Sequence, residues 1–208
     1  MICRITQTLL SALDYVYKLD DGYDSFLKTL NRIKEPPTTA MLNGQRFEGM
    51  VNSALDGAAI PPDHEWAELI AQCKLLLDGS QQQVTLFREV EVEGQTFLLH
   101  GVLDFLRNGV IFDTKFSTTY KVGKYLNSPQ HPMYFRLVPE AYKFQYVICD
   151  GHYIYKETYT PDMVEPIEKK IARFWAFLNM HPELKAIYEE KWVTDNDTSQ
   201  ARNHEGTV

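Results

Sequence analysis

The sequence predicts a single α/β domain in which a central mixed β-sheet is flanked by α-helices, and three observations carry that prediction. Apolar residues recur at helical spacing through roughly the first 77 positions. The period then switches to two from Val84 onward, and the segment GVLDFLRNGVIFDTKF (101–116) places an Asn-Gly turn signal between two apolar runs. A chain of 208 residues with 44% hydrophobic content is long enough to bury one sizeable core. Residues 1–193 are therefore assigned to one domain, with an N-terminal helical elaboration over 1–35, and the polar stretch 194–208 is expected to fray.

The elements follow in order. Leu9, Leu10, Leu13, Val16 and Tyr17, then Phe26, Leu27 and Leu30, repeat with helical period around a break at Asp20-Asp21-Gly22, which predicts two helices. Pro36-Pro37-Thr38-Thr39 opens a third, in which Met41, Phe47, Met50, Val51 and Leu55 stay in period until Gly57. A fourth is expected over about 63–77, between Pro61-Pro62 and Asp78-Gly79. Strands are expected at 84–92 and 95–106 around a Glu93-Gly94 turn, and again at 110–116. Ser128-Pro129 supplies an N-cap and a first-turn proline for a helix that Pro139 ends. Residues 143–159 resume as two strands around Asp150-Gly151, and Pro161 to Asn179 closes the domain as a helix with Val164, Ile167, Ile171, Phe174, Trp175 and Leu178 on one side.

The hairpin brings acids together. Asn108 and Gly109 both tolerate the positive φ of a type I′ turn, and with those two as the loop Arg107 faces Val110, Leu106 faces Ile111, Phe105 faces Phe112, and Asp104 faces Asp113. Lys115 shares the face of Asp113, while Phe105, Phe112 and Phe116 take the other face and pack under helices. Cross-strand carboxylates with Cβ atoms roughly 4.5–5.5 Å apart repel unless a cation lies between them. A divalent metal is the natural candidate.

Charge and cysteine content narrow the remaining choices. A formal charge of −7 excludes a global basic footprint, so nucleic-acid binding would need a local patch. Between Arg107 and Lys143 there are six basic residues against two acids. Cys3, Cys73 and Cys149 are odd in number and far apart, which indicates neither a disulfide framework nor a zinc knuckle and fits a reducing cytoplasm. No apolar run approaches membrane-spanning length and no small-residue cleavage site follows the N-terminus, so a soluble, unprocessed protein with no membrane partner is expected.

Gly101-Val102-Leu103-Asp104, Asp113-Thr114-Lys115 and Gln130-His131-Pro132-Met133-Tyr134 resemble, in residues and in order, the G-x-x-D, (D/E)-x-K and Q-x-x-x-Y motifs of the PD-(D/E)XK nuclease superfamily, RecB-like and phage recombination exonuclease branch. Gly44-Gln45-Arg46-Phe47-Glu48 is similar to that branch's first-helix motif. The resemblance covers about 40–150 and implies a restriction-endonuclease-like core. It also implies a Mg²⁺-dependent (or Mn²⁺-dependent) deoxyribonuclease in which Asp104 and Asp113 hold the metal, joined by the Thr114 carbonyl and Glu48. In this reading Lys115 is catalytic, either orienting and helping deprotonate the attacking water or stabilising developing charge. Gln130 and Tyr134, one helical turn apart, would contact substrate. Tyr120, Lys121, Lys124 and Tyr125 interleave aromatics and bases in the manner of a strand-gripping loop, which makes Lys121 and Lys124 candidate substrate contacts. The implied partner is DNA, together with a single-strand annealing or recombination protein. With no recognition module visible, an exonuclease is expected; a structure-specific endonuclease and a catalytically silent DNA-binding or assembly protein are the alternatives. The chain departs from the pattern in three respects: Asp113 stands where glutamate is more common, no proline precedes Asp104, and the four-cysteine cluster of some RecB-like relatives is lacking.

Overall fold

The computed structural model describes residues 2–194 except 17 and 19; the expected fraying beyond 194 and Tyr17 lie outside the described residues. Its elements are β1 (Cys3–Ile5), α1 (Gln7–Val16), α2 (Gly22–Leu30), α3 (Thr39–Leu55), α4 (Ala67–Leu77), β2 (Gln81–Val92), β3 (Gln95–Arg107), β4 (Val110–Phe116), α5 (Gln130–Leu137), β5 (Lys143–Cys149), β6 (Ile154–Tyr159), α6 (Ile167–Met180) and α7 (Pro182–Lys191). Local chemistry sets several of the boundaries. The Thr38 hydroxyl accepts the Met41 N–H at 3.2 Å to cap α3, and Ser128 Oγ accepts the Gln130 N–H at 3.2 Å ahead of α5. Asn108 and Gly109 take φ of 49° and 72°, the left-handed pair that the hairpin requires.

The strands form one mixed six-stranded sheet. β2 lies antiparallel along β3 from Val92↔Gln95 to Gln81↔Leu106 and so occupies one edge of β3 over nearly its whole length. β1 and β4 must therefore share the opposite edge. β1 pairs in parallel at Phe97–Leu99, and β4 pairs antiparallel at Phe105–Arg107. The connection through α5 returns β5 parallel to β4, and β6 closes the sheet antiparallel to β5. A larger core packs α1, α2, α5, α6 and α7 against one face through Leu9, Phe26, Tyr134, Phe174 and Tyr188. A smaller core packs α3 and α4 against the other face through Phe47, Val51, Ile70, Phe105 and Phe112.

Three expectations are corrected. Residues 1–35 are more than a helical elaboration, because Cys3–Ile5 form a sheet strand and Leu9, Leu10, Phe26 and Leu30 are fully buried or nearly so in the main core. A strand of three residues is too short to show a period, and tertiary pairing alone defines it. α4 starts at Ala67, later than about 63. The closing helix expected from Pro161 to Asn179 is divided into a 3₁₀ turn at Pro161–Met163 and α6, and a further helix, α7, follows it. Pro166 disfavours helical backbone at Glu165, which prevents a continuous helix from residue 161. The two ends of the domain are zipped together: Arg4 N donates to Trp192 O at 2.7 Å, Thr194 N to Ile2 O at 3.0 Å, and Cys3 bridges Val193.

Candidate active site

The sheet parts at Asp104. The β3–β4 ladder has the predicted register at Arg107↔Val110, Leu106↔Ile111 and Phe105↔Phe112, and it stops there, one pair short of the expected Asp104–Asp113 pairing. The β2–β3 ladder is interrupted at the same level, passing from Gln82↔Phe105 to Val84↔Leu103, and the skipped residue Gln83 has a φ of 52°. Inward and outward positions exchange across this point. Leu103 belongs to the larger core and Phe105 to the smaller, so strict alternation fails between them. Asp104 thus does not leave the same sheet face as Asp113 through a regular ladder. Its carboxylate turns into the gap between the strands, where Oδ2 accepts the Thr114 N–H at 3.1 Å.

β4 and α5 supply the other half of the site. Asp113 is 1% exposed, and its Oδ1 accepts the Gln130 side-chain N–H at 2.5 Å, while Lys115 Nζ lies 2.6 Å from its Oδ2. In that second contact the rotatable Lys115 ammonium is the donor that meets the buried Oδ2. Thr114 is buried in β4; its N–H points toward β3, and in an extended strand its carbonyl points to the same edge. Tyr134 is buried at 4% exposure and braces the site from below: its hydroxyl donates at 2.7 Å to the Val102 carbonyl, in the stretch of β3 that neither β1 nor β4 covers. On the opposite wall, half-buried Glu48 on α3 lines an open cleft together with Gln45, Thr114, Lys115 and Phe116, and its Oε1 accepts the Gln83 amide at 3.3 Å.

Electrostatics bind these groups into one unit. Burial, followed by the charges of Asp113 and Glu48, pushes the Asp104 carboxyl well above its ordinary value, against the opposing pull of Lys115 and the Thr114 N–H. For Lys115, burial acts to lower the pKa, but Asp113 and Asp104 outweigh it and hold the ammonium above its ordinary value. Burial and the nearby Asp113 push the Tyr134 hydroxyl up to about 12. Three oxygen sources, Asp104, Asp113 and the Thr114 carbonyl, converge on the gap. Among the described residues no group of three or more His, Cys, Asp or Glu side chains is placed to hold a metal ion. Mg²⁺ commonly uses one or two carboxylates and completes its shell with water and phosphate oxygens, so this donor set fits such an ion without a full protein cage.

The predicted basic patch is largely spent on structure. Arg107 donates to the carbonyls of Leu76 and Asp78 at the C-terminus of α4, and Arg136 pairs with Glu168 at 2.7 Å. Lys121 is exposed, and Lys124 donates to Ser117 at 2.6 Å while lining a second recess with Ala40, Asn43, Phe116 and Thr119. Ala40 and Phe116 line both recesses, which joins this one to the Glu48 cleft.

Two residues escape sequence reasoning. Glu157, 9% exposed on β6, accepts from the hydroxyls of Tyr120 and Tyr159 and from the N–H groups of Gly123 and Tyr125, and so moors the loop that carries Lys121 and Lys124. Strand alternation places Tyr155, Glu157 and Tyr159 on one face, a faint signal that one carboxylate faces aromatic company. Gln83 sits in a polar run, Gln81-Gln82-Gln83, with no periodic signal at all.

No family model matches the chain, and no curated protein matches it. Among solved structures it is similar to the crystal structure of SSO0001, with 17% identity, a TM-score of 0.52, and coverage of 86% of this chain and 78% of that one. At that level of identity the likeness bears on the fold alone, an α/β domain built on a central mixed sheet.

Proposed function

We propose that the chain is a divalent-cation-dependent nuclease that hydrolyses phosphodiester bonds in DNA and acts as an exonuclease. One observation carries this reading: at a single break in the sheet the Asp104 carboxylate turns toward β4 beside Asp113 and Lys115, and Lys115 and Thr114 open from there onto the cleft that Glu48 lines. Buried acids that repel each other are costly unless a cation or a function compensates. A bound Mg²⁺ or Mn²⁺ would shield the phosphate and acidify a water molecule.

The protein's own groups do the rest. Asp104 and Asp113 would hold the ion, with the Thr114 carbonyl and Glu48 at its margins. Lys115 keeps its proton, because the two aspartates favour the ammonium, so it acts as a donor that orients the attacking water or shields charge developing on the phosphate. Gln130 fixes the Asp113 carboxylate, and Tyr134 fixes the strand that carries Asp104. Lys124, which lines the adjoining recess, and exposed Lys121 on the same loop would meet the DNA backbone. Three free, buried cysteines suit a reducing cytoplasm, and among the described residues no helix is long and apolar enough to cross a membrane. A recombination protein that takes over the exposed strand would be the natural partner.

The test is end-labelled linear DNA beside covalently closed circular DNA, each incubated with Mg²⁺ and then with Mn²⁺. Degradation of the linear form alone supports the exonuclease. Cutting of the circle points instead to an endonuclease on the same core, and no cleavage of either overturns the enzymatic reading.

A further inference from the structure

We infer that Gln83 is a positioning residue of this site, one that holds Glu48 toward the acid pair; the inference rests on the nuclease reading above. Three separate observations meet at this residue. Gln83 is the β2 position opposite Asp104, skipped between the Gln82↔Phe105 and Val84↔Leu103 pairs. Its φ of 52° is a left-handed conformation that L side chains rarely adopt, and strained residues persist where surrounding structure fixes them, often at functional sites. Its side-chain amide donates to Glu48 Oε1 at 3.3 Å, linking β2 to α3 across the cleft and leaving the second Glu48 oxygen for the cleft itself.

The arrangement has a direct chemical meaning. Glu48 is on a helix of the smaller core, whereas Asp113 and Gln130 belong to the opposite side of the sheet. The gap at Asp104 lies between these two groups, opposite Gln83 on one side and beside Thr114 on the other. A carboxamide is suited to this task because it supplies a donor without adding charge: a lysine would neutralise Glu48, and a second acid would repel it. By fixing one Glu48 oxygen, Gln83, itself opposite Asp104 on β2, sets where that negative charge stands relative to the gap. Partners that orient a ligand in this way typically alter metal affinity or activity by about 10–100-fold when removed.

The experiment separates backbone from reach. Asn accepts left-handed φ more readily than Gln, yet its amide is one methylene too short for Glu48, so Gln83→Asn should preserve the fold and lose the contact. Gln83→Gly removes the strain and the amide together. Both variants, with Glu48→Gln and the double variant Gln83→Asn/Glu48→Gln, are compared with the wild-type chain. The measurements are Tm in EDTA, Mn²⁺ affinity by isothermal titration calorimetry, and kcat and KM on linear DNA. We expect Tm to be unchanged or raised in both Gln83 variants, Mn²⁺ affinity to fall about ten-fold, kcat to fall with KM unchanged, and Gln83→Asn to add nothing once Glu48 is Gln. Wild-type Mn²⁺ affinity and kcat in both Gln83 variants overturn the inference, as do losses that add to those of Glu48→Gln. A wild-type chain that neither binds Mn²⁺ nor cuts DNA overturns the nuclease reading and this inference with it. Wild-type activity alongside unaffected Gln83 variants overturns this inference alone.

Discussion

Gly101 and Tyr134 occupy one space: a Cβ on Gly101 would stand 2.7 Å from Tyr134 Cε1 and 2.8 Å from Leu137 Cδ1. The helix α5 lies against β3 because residue 101 has no side chain, and the same helix presents Gln130 to Asp113. Gly101→Ala should therefore cost about 1–3 kcal/mol by overpacking. Tyr134→Phe, which keeps the ring and removes only the hydroxyl bond to Val102, should cost about 1 kcal/mol. Urea denaturation of the two variants measures both, and an unchanged midpoint for Gly101→Ala would show that α5 does not press on β3 in this way.

Stability should respond to pH through Asp104. Its carboxyl is held well above the ordinary 3.8, so the folded chain binds that proton more tightly than the unfolded chain does. The associated stability is complete below 3.8 and is lost as pH rises through the raised folded value, as Asp104 ionises beside Asp113 and Glu48. Asp104→Asn abolishes that titration. In EDTA, its unfolding free energy relative to wild type should improve as pH rises above 3.8 toward the raised folded value, and a difference that does not change with pH would contradict the assignment.

Lys115 has a structural duty separable from its chemical one. Its ammonium is the cation beside Asp113 Oδ2, so Lys115→Met should destabilise the chain by about 1–3 kcal/mol by leaving a buried carboxylate oxygen uncompensated. Arginine keeps the charge but brings a planar head of different reach. Lys115→Arg should restore most of the stability while cleavage stays depressed, and Lys115→Met should lose cleavage by about 10²–10⁴-fold. Mn²⁺ titrations should still show binding in both. Full cleavage by Lys115→Met would remove the lysine from the mechanism.

Glu157→Gln tests the loop mooring. An amide replaces one acceptor oxygen with a donor, and Tyr120, Tyr159, Gly123 and Tyr125 all donate to this side chain, so at least one of them must be left unpaired. Hydrogen exchange at 117–126 should accelerate while β4 and β5 keep their protection, because the mooring holds the loop and not the sheet. Equal protection of the loop in variant and wild type would mean that the stacked rings of Tyr120, Tyr125 and Tyr146 suffice to hold it.

The parts of this fold that were legible in the sequence are those with a local cause. Asn108-Gly109 specified the hairpin and three of its pairs, because two consecutive left-handed residues admit few alternatives. The fourth pair failed because strand alternation assumes an unbroken ladder, and nothing in the residues near Asp104 announces that the ladder to β4 ends there and the ladder to β2 skips a residue. Asp113 and Lys115 lie side by side as strand alternation suggested, whereas the bond from Gln130 to Asp113 was not foreseen, its spacing having linked it only to Tyr134. Glu48 reached the cleft from the edge of the apolar stripe of α3, as a boundary position can. β1, Gln83 and Glu157 were missed for one reason: each acquires its role from a partner remote in sequence, at Phe97, Glu48 and Tyr120 respectively.

The zipper between residues 2–4 and 192–194 has a consequence for how the domain comes to be made. Its hydrogen bonds join positions almost the whole chain apart, so they can form only after the intervening segments have been drawn together, and they close the largest loop among the described residues. Because residues 2 and 194 stand side by side, a short Gly-Ser bridge in place of 195–208 could join them, and new termini could be cut in the exposed turn at Gly57-Ala58. The circularly permuted chain would then begin assembly with its longest-range contact already made.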